Sequence, residues 1–294
     1  MQNNITEYLL FLILALIWSA SFLLIKIGVE TIPPFTLTAA RLSIAALLFG
    51  FYLLLKREWI PMDSSALILY LGSAVLGNSL PFLLISWGET HISSSLAAIS
   101  MGIMPISTFV LAHFLVSDEP MTNRKTLGIL LGFIGLIILV GPSAFQGAKG
   151  QLMGILAVLT GALSYSFGTI FVRLRPSFIR FKMAAGTTIC AALISLPVAF
   201  VLESPLSIKP SQPSMLAVVI LAVFPTALAS LIYFRIIKTL GATTFAQINY
   251  IIPVLGGLWG IILLGERLSW NVFIALALVL FGIYLIQSRK ILKK

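Results

Sequence analysis

The chain has 294 residues, of which 59% are hydrophobic and only 10% charged, with mean hydropathy +1.08 and a formal net charge of +10. A soluble domain carries about 25% charged residues, so this composition excludes a soluble enzyme, a secreted disulfide scaffold and a disordered chain. The one cysteine, Cys190, and two histidines, His91 and His113, exclude an intrachain disulfide and a cysteine- or histidine-built metal centre.

Apolar runs long enough to cross a bilayer recur along the chain at about 8–27, 34–55, 65–87, 93–116, 125–141, 150–172, 183–202, 214–237, 242–264 and 270–287. They do not alternate apolar with polar residues as barrel strands would. The expectation is an all-α integral membrane protein of ten transmembrane helices, joined by connections too short to hold a soluble domain. The first run lacks a basic stretch before it and a small-x-small site after it, so it reads as span one rather than a signal peptide.

Basic residues set the orientation. With a cytoplasmic N-terminus, 14 fall in inside segments: Lys56, Arg57, Arg124, Lys125, Arg173, Arg175, Arg180, Lys182, Arg235, Lys238, Arg289, Lys290, Lys293 and Lys294. Four fall outside, at Lys26, Lys149, Lys209 and Arg267, while Arg41 lies within a span. Both termini are therefore expected in the cytoplasm, with the chain multi-pass in the cell (inner) membrane. Because the basic residues cluster at the ends of apolar runs, the positive charge points to the bilayer and not to nucleic acid.

The ten runs repeat. A shift of 148 carries Pro105 onto Pro253, and a shift of 147 carries Glu119 onto Glu266, Thr122 onto Ser269 and Gly135 onto Gly282. A shift of 145 carries Ser19-Ala20-Ser21-Phe22 onto Ser164-Tyr165-Ser166-Phe167. Two five-helix halves follow, 1–145 and 146–294. Five spans per half is an odd number, so the halves enter the membrane from opposite sides as inverted repeats, an arrangement of transporters with a midplane substrate site.

Trp18-Ser19-Ala20-Ser21-Phe22, followed by Lys26, Pro33-Pro34-Phe35 and Arg41, resembles the opening of EamA-type proteins of the drug/metabolite transporter (DMT) superfamily. The two Pro…Glu-x-x-Ser/Thr blocks, ending in Asp118-Glu119-Pro120-Met121-Thr122 and Gly265-Glu266-Arg267-Leu268-Ser269, add to the resemblance. The chain departs from the family pattern at Ser19, where Gly commonly follows the Trp, and at Ser117-Asp118-Glu119, where Gly-Glu is usual. The resemblance implies ten helices, cytoplasmic termini and movement of small metabolites or amino acids, often outward.

Polar groups inside a membrane mark faces turned to protein or water. In span eight, Thr226, Ser230 and Tyr233 share one helical face. Shifted back by 148 they fall on Asn78, Phe82 and Ile85, and Glu89 extends that face by a turn. Span nine repeats the spacing with Thr243, Gln247 and Tyr250. Asn249, about 200° around the helix from that stripe, is expected to bridge to a neighbouring helix. Span six adds Tyr165 and Thr169, and span one adds Trp18 and Ser21. Singly, each hydroxyl or amide is better read as a hydrogen bond between helices; as converging stripes the set is read as the lining of a substrate cavity.

Arg41 is the candidate contact for a substrate carboxylate, whereas Lys26 is expected to reach the headgroups and pair with Glu30. His113 is expected to be a hydrogen-bonded packing residue. Glu119 and Glu266 are expected to be structural, in turns capped by Thr122 and Ser269. Pro105 and Pro253, partners in the repeat, are candidate hinges. Gly128-x-x-x-Gly132 and Gly256-x-x-x-Gly260 permit close helix approach, and a monomer or weak dimer is expected.

No phosphate-binding loop for an ATP-driven pump is present, and no cofactor or metal is called for. The reading is a secondary transporter or exporter, not an enzyme, moving small neutral or zwitterionic organic molecules such as amino acids by alternating access. The alternative is an intramembrane enzyme for lipid-linked substrates, using Glu89 and His91. With no acid at mid-span, facilitated diffusion or exchange is expected ahead of proton antiport.

Overall fold

A computed structural model describes residues 2–140, 151–175, 180–255 and 270–291. All its elements are helical. The first half contains α1 (Gln2–Ser19), α2 (Ser21–Val29), α3 (Pro34–Lys56), α4 (Ser64–Ala74), a π-helical turn Val75–Ser79, α5 (Leu80–Glu89), α6 (Ser94–Ser100), α7 (Ile103–Leu115) and α8 (Asn123–Val140). The second contains α9 (Gln151–Leu174), α10 (Arg180–Leu202), α11 (Gln212–Leu221), a π-helical turn Ala222–Leu228, α12 (Ala229–Leu240), α13 (Ala242–Ala246), α14 (248–255) and α15 (Trp270–Ile291).

Seven described stretches are long and apolar enough to cross a membrane: Ile5–Val29, Pro34–Lys56, Ser64–Glu89, Leu96–Leu115, Gln151–Leu174, Arg180–Leu202 and Gln212–Leu240. Of the other three expected spans, 125–141 falls on the 18-residue α8, and 270–287 falls in α15, whose apolar part is Ala277–Ile286. The third, 242–264, opens as α13 and α14 and runs beyond the described residues, as do Gly256, Gly260, Glu266, Ser269 and the junction at 145–146. The described residues thus establish a multi-pass helical bundle, not the full count of ten. Its exterior suits lipid: Leu47 is 72% exposed and Phe114 76%, which in water would be a liability.

Helix-end chemistry sorts the bundle into two ends. At one end Arg235 makes a bidentate pair with Glu7 (Nε to Oε1 2.9 Å, Nη2 to Oε1 2.6 Å), to which Thr239 Oγ1 adds a bond of 3.0 Å. Lys182 pairs with Glu58 at 3.3 Å, and Arg173 pairs with Asp118 and Glu119 at that same end. The opposite end holds α2, the start of α3, and the 89–94 and 203–214 turns. There the Glu203 carboxylate accepts from Phe35 N (3.2 Å) and Thr36 N (2.8 Å), capping α3. Ser214 Oγ donates to Ile27 O at 2.8 Å.

The glycine motif at 128–132 is used inside the chain. A Cβ on Gly128 would lie 2.5 Å from the Gly282 carbonyl oxygen, and Gly132 lies against the Tyr250 ring. Small residues let α8 and α15 touch along their backbones, where dispersion replaces the absent hydrophobic drive.

One expectation about the helix ends is corrected and another is extended. Lys26 does not pair with Glu30, which is exposed; its Nζ donates to the carbonyls of Glu89 (2.6 Å) and Ile92 (3.1 Å). Those carbonyls lack helical partners at the end of α5, and a cation satisfies them. Glu119 serves more than its own turn. Its carboxylate accepts from Ala242 N and Thr243 N, both at 2.8 Å, and so caps α13 of the other half. Thr122 Oγ1 caps α8 through Lys125 N (3.3 Å), and His113 Nδ1 accepts from Met121 N (3.1 Å).

Candidate functional site

The π-helical turns shape the interior. The second begins 147 residues after the first, and each is associated with a proline, Pro81 just past the first and Pro225 within the second. Pro225 has no N–H for the carbonyl of Leu221 four residues earlier. Thr226 Oγ1 supplies the missing donor at 2.8 Å, and its oxygen accepts from Arg41 Nε (3.1 Å) and Nη2 (3.0 Å). In the first half, the carbonyl of Leu76, whose π-helical partner would be Pro81, takes its proton from Ser164 Oγ at 2.9 Å. The Pro225 carbonyl accepts from Trp18 Nε1 at 3.2 Å. A π-turn next to proline widens the helix and frees backbone groups, a device frequent at functional sites.

Between these turns lies a cavity of about 50 Å³. It is lined by Trp18, Ser21, Phe22 and Ile25 of α1–α2, Arg41 of α3, Phe82 and Ile85 of α5, Met101 and Met104 around the start of α7, Tyr165 of α9, and Phe245, Asn249 and Ile252 of α13–α14. Since one water needs about 10–15 Å³ on this measure, the cavity as it stands has room for roughly three to five waters. Arg41 is 2% exposed, and its guanidinium carbon lies 3.9 Å from the Phe82 ring centroid. Stacking and the Thr226 hydroxyl hold the planar cation without a neutralising carboxylate against it. Trp18, Tyr233 and Phe245 form an aromatic cluster with centroid separations of 6.5, 5.9 and 5.0 Å, toward the Glu7–Arg235 end.

Of the residues singled out from sequence, Trp18, Ser21, Phe82, Tyr165 and Arg41 line this cavity, as do Ile85, on the face of Phe82, and Asn249. The rest of the expected lining does not. Thr226 is spent on Leu221 and Arg41. Ser230 Oγ donates back to Ala227 O (2.9 Å). Tyr233 sits behind Phe245, beside Thr169. Gln247 Nε2 donates to Thr243 O (3.3 Å), and Tyr250 OH donates to Ile129 O of α8 (3.2 Å). Asn78 is half-buried in its π-turn. In span nine the polar stripe 243–247–250 faces other helices, and the parallel stripe Phe245, Asn249 and Ile252 faces the cavity. Thr226 and Tyr250 bond across helices, Ser230 and Gln247 bond backbone nearby in their own segments, and Thr243 Oγ1 has no hydrogen-bond partner; the lining is mostly aromatic and aliphatic, so polarity alone does not reveal Phe22, Met101, Met104, Phe245 and Ile252. Asn249 does both: its Nδ2 lies 3.0 Å from Met104 Sδ across to α7, and it lines the cavity.

Glu89 and His91 do not converge. Glu89 is fully buried, whereas His91 is on the surface, its ring 4.2 Å from that of Trp87 and its Nδ1 2.8 Å from Thr90 Oγ1. Pro105 lies in the first turn of α7 and Pro253 lies in α14. Among the described residues no group of three or more His, Cys, Asp or Glu could hold a metal ion.

A lipid-suited exterior, several crossing helices and a cavity between them with a buried cation at its wall define a polytopic membrane protein with an internal site. The chain belongs to the EamA-like transporter family, whose model matches residues 5–141 and again 152–288, so it carries two EamA repeats of the DMT superfamily. It is 24% identical over 271 residues to the uncharacterized transporter YoaV of Bacillus subtilis, covering 92% of each chain. With the uncharacterized inner membrane transporter YedA of Escherichia coli K12 it shares 26% over 284 residues, 95% of this chain and 90% of the relative. A solved crystal structure superposes with a TM-score of 0.79 at 21% identity, covering 98% of this chain and 99% of the other, a likeness of fold alone.

Proposed function

We propose that the chain is a secondary transporter that exports small neutral or zwitterionic organic molecules, amino acids with apolar or aromatic side chains foremost, by alternating access between two inverted five-helix halves, 1–145 and 146–294. The observation that carries this is Arg41, a buried cation over Phe82 at the wall of an aromatic cavity with no carboxylate bonded to it. One fixed cation matches one substrate carboxylate, and Trp18, Phe22, Tyr165 and Phe245 match an apolar side chain. A multiply charged phosphate would need further cations at this depth, and the lining has none. The cavity is smaller than such a substrate, so the halves must separate to admit it. The paired π-turns of spans three and eight are natural places for that movement, alongside Pro105 and Pro253.

Phenylalanine flux in vesicles holding only this protein tests the reading. Arg41→Ala should lower it about 10–100-fold, the equivalent of one charge-assisted hydrogen bond of about 1.5–3 kcal/mol. Phenethylamine, which lacks the carboxylate, should not respond to the substitution. Efficient movement of a sugar phosphate that is indifferent to Arg41→Ala would overturn the assignment.

A further inference from the structure

Glu89 has no role in the account so far. Its side chain is fully buried at the end of α5, and neither carboxylate oxygen has a hydrogen-bond partner. It continues the face of α5 that lines the cavity, one turn beyond Ile85 and two beyond Phe82. The elements packed on α5 are α2, α3, α6, α9 and the 75–79 turn. The charged or titratable groups they turn toward it are Lys26 from α2, Arg41 from α3 and, deeper, Tyr165 from α9. Neither α6 nor the 75–79 turn has a titratable side chain. His91, two residues on, faces Trp87 at the surface. Both cations are already engaged: Lys26 Nζ with the backbone carbonyls of Glu89 and Ile92, Arg41 with Thr226 and Phe82.

A carboxylate with no hydrogen-bond partner in such a place bears a desolvation cost that the two nearby cations, neither of them in contact with it, offset only in part. Two cations nearby disfavour a metal cation or a substrate ammonium as its ligand, because either would add a third positive charge. A proton removes the cost by making the group neutral. We propose that Glu89 is a proton-binding site of the transport cycle, protonated while the cavity is closed and exchanging that proton at the end of the bundle where Lys26 lies. When the proton leaves, Lys26 is placed to turn from the Glu89 carbonyl to the Glu89 carboxylate, so the charge that appears there gains a partner. One proton entering for each substrate leaving makes the protein an antiporter, and only this coupling rests on the transporter reading above.

Infrared difference spectra of the full chain in lipid, taken between acid and alkaline pH, test the site directly. Wild type and His91→Gln should show the titrating C=O band of a carboxylic acid in a dry environment, and Glu89→Gln should lose it. Should Glu89→Gln fail to fold, Glu89→Asp keeps the acid and should move the band. No band in wild type, a band surviving Glu89→Gln, or one unmoved by Glu89→Asp overturns the proposal. In vesicles whose membrane potential is held at zero with potassium and valinomycin, a pH gradient of one unit should sustain about a tenfold phenylalanine gradient in one-for-one exchange with wild type, and none with Glu89→Gln. Phenylalanine movement indifferent to the pH gradient overturns the coupling. Its complete absence in wild type counts against the transporter reading alone, and the spectra then decide the proton site.

Discussion

Lys26 and Glu119 illustrate how ionic side chains work in a bundle with so few of them. Each could have paired with a near neighbour in sequence, and each is instead spent on backbone groups that a helix end leaves unsatisfied, in apolar surroundings where such groups are costly. Glu119 also sets a backbone requirement at its partner. Gly241 has φ 90° and ψ 165°, a region essentially restricted to glycine, and a Cβ there would lie 2.6 Å from Glu119 Oε1. Gly241→Ala should therefore lower stability by about 1–3 kcal/mol. Glu119→Gln should cost about 1.5–3 kcal/mol through the charge-assisted caps on Ala242 and Thr243. Thermal unfolding in detergent measures both, and a Gly241→Ala protein as stable as wild type would show that the 240–242 turn relaxes freely.

At the scale of the element, the two π-turns carry the interior. They arise where proline deletes a backbone donor and a hydroxyl from a side chain replaces it. That account makes a prediction with a sign. Thr226→Val leaves the Leu221 carbonyl without its proton and Arg41 without its acceptor, for a loss of about 1–3 kcal/mol. In a Pro225→Ala background the restored N–H can reach Leu221, so the same substitution should cost less. Stabilities of the four proteins form a double-mutant cycle. Equal costs in both backgrounds would mean that Thr226 does not repair the proline break.

For the whole molecule, the basic residues gather at one end: Arg173, Lys182, Arg235 and Lys238 all make contacts there, with Glu7, Glu58, Asp118 and Glu119 as their nearest acids. A basic end is held on the cytoplasmic side. A reporter active only in the cytoplasm and fused after the C-terminus should therefore be active, and so should one inserted near Lys56. Activity at only one of the two positions would break the inverted-repeat topology as well as the orientation.

Much of this was legible before any coordinates. Composition settles solvent: a chain 59% hydrophobic and 10% charged cannot cover itself with water-facing groups. Run length then settles helices, because lipid leaves the backbone no partner but itself. The motifs around Trp18, Arg41 and Glu119 point to the family, helical phase turns Trp18, Ser21, Phe82 and Tyr165 toward the interior, and Arg41 stands out as a cation within a span. What periodicity could not decide is which of two parallel stripes on a helix meets the cavity and which meets a neighbour. Thr243, Gln247 and Tyr250 look like a lining and serve as contacts; Phe245, Asn249 and Ile252, on the adjacent face, form the wall. Helical phase relates residues of one helix to each other and says nothing of where the next helix lies. For the same reason Glu89 read from sequence as an acid at a span end, and only packing by α2, α3, α6 and α9 makes it a carboxylate enclosed without a partner.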